Sequence, residues 1–228
     1  MLTKKKQISK KEIKEDKLVT TYYQAVQYLD ENRSRLYVYV GIFVALVALV
    51  YFYIDHRAKN NEKANTELAR VMDIYNQGAY QEAIDGRKGT NITGLKKIVD
   101  EYGSSENGET AKIFLANCYN FLGKFDEAFK YYDDYSGGID ELKATALAGK
   151  AGCYEAQKEY QKAAEAYKDA AHVSKTDVQN GEYLLNSGIN YLKAGMKEKA
   201  LEQFTTIRDD YNTSSAMREL DRYMAQAK

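Results

Sequence analysis

Three patterns of apolar and polar residues follow one another along the chain. Ile13, Leu18, Val19, Tyr22, Tyr23, Val26 and Leu29 are spaced to share one face of a helix between charged and polar neighbours. Residues 36–54 then read LYVYVGIFVALVALVYFYI, 19 positions without a charge. Beyond residue 54, apolar residues recur three and four apart in segments punctuated by glycine, the signature of amphipathic helices packed on one another. These patterns predict an all-α protein with a short tail (1–35), one transmembrane helix (36–54) and a helical repeat domain (55–228).

At helical rise the apolar run spans roughly 28 Å, against a hydrocarbon core of about 30 Å. Tyr37 and Tyr39 at one end and Tyr51 and Tyr53 at the other suit the two headgroup regions, where amphipathic rings concentrate. A buried helix of a water-soluble core seldom stays apolar for this length. A cleaved leader is disfavoured because the run starts after 35 residues and is followed by Asp55-His56-Arg57 in place of small residues. An uncleaved signal anchor is expected. The tail face fits either a helix lying on the membrane surface or a juxtamembrane helix that continues into the span.

Charge adds an orientation. Residues 1–35 carry nine Lys/Arg and five Asp/Glu, whereas residues 55–228 carry 24 and 28, so a +4 tail precedes a −4 domain. The excess of Lys/Arg predicts a cytoplasmic tail and an external domain, although Lys17, Arg33 and Arg35 before the span are matched by Arg57, Lys59, Lys63 and Arg70 after it. A near-neutral domain lacks the basic footprint that nucleic acid requires.

The repeat signal lies in Gly-x-aromatic-x-x-Ala. Gly78-Ala79-Tyr80-Gln81-Glu82-Ala83 is followed by Gly123-Lys124-Phe125-Asp126-Glu127-Ala128, then Lys158-Glu159-Tyr160-Gln161-Lys162-Ala163 and Gly195-Met196-Lys197-Glu198-Lys199-Ala200. The alanines stand 45, 35 and 37 residues apart. In the last three units a small residue precedes the alanine by twelve, a tyrosine precedes it by nine, and an aromatic follows it by four. These are Ala116, Tyr119 and Tyr132; Ala151, Tyr154 and Tyr167; and Gly188, Tyr191 and Phe204. Small residues facing alanine let two helices approach, aromatics fill the wedge to the next hairpin, and the turn glycine supplies a left-handed conformation. The first unit is degenerate: Gly86, Gly89 and Gly94 interrupt it, and residues 95–102 predict a separate helix. Ala216, Leu220 and Tyr223, with Met217 and Met224 nearby, space a final helix to cover the apolar end.

These motifs resemble tetratricopeptide repeats, whose period is about 34 residues. The resemblance implies a tetratricopeptide-repeat solenoid of about four repeats plus a C-terminal capping helix. The order of tail, span and repeats, with Glu31-Asn32-Arg33 before the span, is similar to the YfgM-like ancillary subunits of the bacterial Sec translocon. That likeness implies a single-pass protein of the bacterial inner membrane, with a cytoplasmic N-terminus and a periplasmic repeat domain. It also implies the Sec translocon or periplasmic chaperones as partners, and a role in protein translocation or chaperoning. The proline usual near the end of each such repeat is absent, since the chain contains none.

The expected activity is binding, not catalysis. His56 and His172 are the only histidines, and no HExxH, GxSxG or phosphate-cradling glycine loop is present. His172 is expected on a helix surface or groove, and no metal or cofactor is expected, because a metal site needs several convergent ligands. Cys118 and Cys153 hold the same position in consecutive repeats, too far apart to bridge, and are expected to be buried free thiols. Asn91-Ile92-Thr93 and Asn212-Thr213-Ser214 match glycosylation acceptors, of consequence only in a eukaryotic secretory pathway. A repeat array presents a curved surface to another chain, and the predicted partner-binding groove on the first helices comprises Asn117, Asn120, Glu155, Asn186 and Lys193. Of the Lys/Asn clamp by which some tetratricopeptide domains hold a C-terminal carboxylate, only Asn117 falls on a matching position and Ile113 replaces a lysine, which disfavours that ligand. A protein or polypeptide ligand is expected, with a scaffold for envelope assembly or cell division as the alternative use of the same surface.

Overall fold

The computed structural model describes residues 10–227, with side chains described at Lys17 and from Val19 onward. Of the predicted tail face, Ile13 and Leu18 therefore lie outside the described side chains. The described residues form ten helices: α1 (Lys10–Asn76), α2 (Tyr80–Asp85), α3 (Leu95–Tyr102), α4 (Glu106–Phe121), α5 (Phe125–Asp133), α6 (Asp140–Ala156), α7 (Tyr160–Ala171), α8 (Asn180–Lys193), α9 (Lys197–Asp210) and α10 (Met217–Ala227). Extended pairing among the described residues is confined to one isolated bridge between Gly86 and Thr93.

The chain divides into two compact units between His56 and Arg57. The first contains most of α1, and its residues from Tyr37 to Ile54 include none that is buried. This helix is long and apolar enough to cross a membrane, with a mean hydropathy of 2.3 over its most apolar window. Helical structure runs through residues 54 and 55 without interruption. No glycine or proline occurs between Gly41 and Gly78 to stop it.

The second unit, Arg57–Lys228, is a succession of helix pairs. Its pairing rests on one turn repeated four times. Gly78, Gly123, Lys158 and Gly195 adopt φ of +76, +72, +62 and +76°. The N–H after each donates back to the carbonyl of Ile74, Tyr119, Tyr154 or Tyr191, at 3.3, 2.9, 2.9 and 2.8 Å, in the six-residue closure that ends a helix. The same residue's carbonyl then accepts from the N–H of Ala83, Ala128, Ala163 or Ala200, at 2.8 to 3.0 Å, and starts the second helix. Gly-x-aromatic-x-x-Ala is therefore a complete stop and restart. Lys158 holds the glycine conformation without being glycine, at a cost of about 1 kcal/mol for an L-residue.

Packing follows the small positions. Ala83, Ala116, Ala128, Ala151, Ala163 and Ala200 are all fully buried. Gly188 lies against the ring of Phe204 and Gly149 against the ring of Tyr132, where an added Cβ would overlap the aromatic carbons. From α4 to α10 each helix packs on the next, and α4 also meets α6. In α1, Ala64, Leu68, Val71 and Ile74 form a buried stripe in a core shared with Ala83, Ile84, Leu95, Ile98 and Leu115. Asn107 secures the start of α4 to this stretch, its backbone N–H and side-chain amide donating to Asn61 Oδ1 at 2.7 and 3.0 Å. The glycine-rich interruption folds back on itself: Gly86 and Gly94 approach so closely that a Cβ on either would meet backbone of the other. At the far side, α10 covers α8 and α9, burying Leu220 and stacking Tyr223 on Phe204 with ring centroids 6.2 Å apart.

Candidate interaction surface

The five residues predicted to line a groove are not one cluster. Glu155, Asn186 and Lys193 come together where α6 faces α8. Lys193 Nζ pairs with Glu155 Oε1, and Asn190 Nδ2 donates to Glu155 Oε2 at 3.3 Å and to the Asn186 carbonyl at 2.9 Å. Asn190 is only 1% exposed, and its Oδ1 is buried without a hydrogen-bond partner. It is the residue that joins the other three, and sequence reasoning missed it. Its only signal is the spacing Asn186, Asn190, Lys193, which places three polar side chains on one face of α8.

Asn117 belongs to a different setting. Its Oδ1 accepts from the Tyr132 hydroxyl at 2.6 Å, and its Nδ2 donates to the Tyr75 hydroxyl at 3.3 Å. Phe114 and Phe121, three before and four after it on α4, are part of an aromatic belt. Phe114 meets Tyr75 edge-on at 5.1 Å, and Phe121 stacks on Tyr80 at 4.6 Å while remaining 60% exposed. Asn120 is partly buried and takes part in neither network; its carbonyl accepts from the Gly123 N–H at 2.9 Å in the turn.

Burial raises the pKa values of the hydroxyls and thiols in this region. Tyr75 is raised by burial, against the opposing effect of its bond with Asn117. Burial also pushes Tyr132 well above the phenol range and, with Glu155 nearby, takes Tyr167 to about 12. Cys118 is pushed to about 12 and Cys153 to about 11, again chiefly by burial. At neutral pH these are uncharged donors and inert thiols, since the thiolate is the reactive form.

Lysines recur over the tyrosines. Lys162 Nζ lies 5.5 Å from the centre of the Tyr154 ring, and Lys199 takes the same place 5.5 Å from Tyr191. In the preceding pair that lysine position is Glu127, and Lys124 covers Tyr119 at 5.9 Å instead. Lys193 lies over Tyr160 at 5.6 Å, and Tyr160 lines an open groove of about 660 Å³ with Lys158, Glu159, Gln161, Lys162, Glu165 and Ala194. A second cavity of about 450 Å³ includes His172, Lys175, Asp210 and Tyr211. There His172 Nδ1 is engaged by the Lys168 carbonyl at 2.6 Å. Among the described residues no three His, Cys, Asp or Glu side chains converge as metal ligands. The arrangement offers stacking, amide hydrogen bonds and mixed charge.

A buried ionic network also escaped sequence reasoning. Lys112 Nζ bonds Glu109 Oε1 and Asp134 Oδ2, each at 2.9 Å, while Glu109 accepts from the N–H and hydroxyl of Ser136 at 2.9 Å. Glu109 and Lys112 are 6% and 7% exposed, so this network fastens the loop after α5 to α4 from within. Neither the models of known protein families nor the curated proteins contain a match to this chain.

Proposed function

We propose that this chain is a membrane-tethered, non-enzymatic module that binds a protein or an emerging polypeptide through a solenoid of tetratricopeptide repeats. The observation that carries the repeat reading is the turn at Gly78, Gly123, Lys158 and Gly195, repeated with the same two backbone hydrogen bonds each time. Such arrays bind other chains along the faces of their first helices. Here those faces carry an aromatic belt around Asn117 and the polar cluster of Glu155, Asn186 and Lys193, held from beneath by buried Asn190, features suited to peptide groups and apolar side chains. The anchor reading rests on the exposed apolar helix. A tethered domain meets membrane-associated partners at raised local concentration. The Sec translocon and periplasmic chaperones are the partners proposed from the resemblance, with the domain on the outer side of a bacterial inner membrane.

Two measurements test this reading. Protease added to spheroplasts should digest the repeat domain while sparing a tail epitope. Co-purification in mild detergent should recover a translocon subunit or periplasmic chaperone, with recovery reduced by Lys193→Ala and Phe121→Ala together. A domain protected in spheroplasts reverses the orientation. Capture of septal or assembly proteins alone would replace translocation with a scaffold role.

A further inference from the structure

Helix α10 is held to the last pair by apolar and ring contacts alone. Leu220 and Ala227 are buried, and Met217, Tyr223 and Met224 are half-buried, in a core shared with α8 and α9. Met217, Leu220, Met224 and Ala227 are spaced by three, four and three and so share one face of the helix. The chain is pinned just ahead of them, where Ser214 lies against Gly181 and Ser215 Oγ donates to Glu182 Oε1. Among the described residues, the side chains of 217–227 make hydrogen bonds and ion pairs only within α10 itself, Arg222 with Glu219 and with the Tyr223 hydroxyl.

Two of the four side chains on that face are thioethers. Met196 belongs to the same core, whereas Met72 lies in the separate core of α1 to α4. A half-buried thioether touches the core and is still open to a small solute. Hydrogen peroxide converts it to a sulfoxide: a sulfur lone pair attacks one peroxide oxygen, the O–O bond breaks, and the second oxygen leaves as water once it takes up the transferred proton. Sulfur is oxidised by two electrons and the peroxide is reduced by two. The product carries a polar S=O group into an apolar contact, where an acceptor without a partner is costly. An 11-residue helix does not persist in water without packing, so α10 that leaves α8 and α9 also loses its helical hydrogen bonds.

We propose that Met217 and Met224 are an oxidant-sensitive pair whose conversion to sulfoxides by peroxide releases α10 and uncovers the face of α8 and α9 around Phe204. Tyr223, which stacks on Phe204, leaves with the helix. The thiols take no part, because Cys118 and Cys153 are buried in the other two cores. Sulfoxide reduction returns the thioether, so the release is reversible. It depends neither on the membrane anchor nor on the identity of a partner.

The test uses the full chain in mild detergent, treated with hydrogen peroxide. Peptide mass mapping should place one oxygen on each of Met217 and Met224. Amide hydrogen exchange of residues 217–227 should then quicken about tenfold for each sulfoxide, with exchange in α6 and α7 unchanged. Met217→Leu with Met224→Leu keeps the apolar volume of the face and should keep slow exchange after the same treatment. Met72→Leu with Met196→Leu should respond to peroxide as the unsubstituted chain does. Met217 and Met224 left unoxidised in the folded chain overturn the proposal. So does their oxidation with exchange of α10 unchanged, or a quickening that persists when both are leucine.

Discussion

Helix α1 contains two apolar stretches that differ in one respect. Between Tyr37 and Ile54 apolar residues occupy every side of the helix, and none of their side chains is buried. Between Ala64 and Ile74 the buried apolar residues occupy one side, with Asn65, Arg70 and Asp73 exposed on the others, and Ala64, Leu68, Val71 and Ile74 are 0 to 7% exposed. Apolar residues on every side specify no face for a neighbouring helix to cover. Periodicity identifies the protein surface a helix requires, because only a one-sided stripe specifies which face a neighbouring helix must cover.

Substitutions can break this contrast from either end. Ile74→Ala should lower the stability of the repeat domain by about 4 kcal/mol through lost burial and a cavity. The same change at Ile42, which is 54% exposed, should leave the urea midpoint of that domain where it was. Leu46→Arg should act in the opposite sense: about 3 kcal/mol against insertion, read as protein lost from carbonate-washed membranes, with unchanged unfolding of the domain.

Alkaline titration should sharpen the difference further, since the buried thiols belong to the domain. The pKa values of Cys118 and Cys153 are raised from 9.0 to about 12 and about 11. Stability is therefore intact below pH 9 and falls as pH rises from there toward 11 to 12, because the unfolded chain releases these protons first. A loss of about 1 kcal/mol per thiol is expected by pH 10, measured by urea unfolding across that range. Maleimide should label neither thiol at pH 7 until the domain unfolds. The smallest effect lies in the turns. Lys158→Gly should stabilise the domain by about 0.5 to 1 kcal/mol by relieving a left-handed lysine, whereas Gly123→Ala should cost about the same, both read from thermal unfolding.

Much of this contrast is legible in the sequence. The register of Gly-x-aromatic-x-x-Ala located the turn even at Lys158, where residue type argues against a left-handed conformation, because the alanine and tyrosine on either side held their spacing. The limits of the apolar run were legible from charge. The uninterrupted path of α1 past Ile54 was not, as a hydropathy boundary and a helix boundary have different causes and only a cap or breaker marks the second. The candidate site was less legible still. Helical spacing places Asn117, Asn120, Glu155, Asn186 and Lys193 on a face, but which of them meet depends on the approach of α6 to α8 and on Asn190, a residue that reads as any surface amide. Glu109 and Lys112, three apart on α4, read as an exposed helical pair; the loop at 134–136 buries them, and no local spacing foretells that.

The covering helix α10 has a consequence for assembly. A stacked array offers at its last pair the kind of face by which another pair would add, so an uncovered end is a head-to-tail contact that repeats without closing and grows into filaments. By setting Leu220 and Tyr223 over α8 and α9, α10 occupies that face with a segment of the same chain. The apolar side of α8 and α9 that α10 covers is thereby withheld from any second copy.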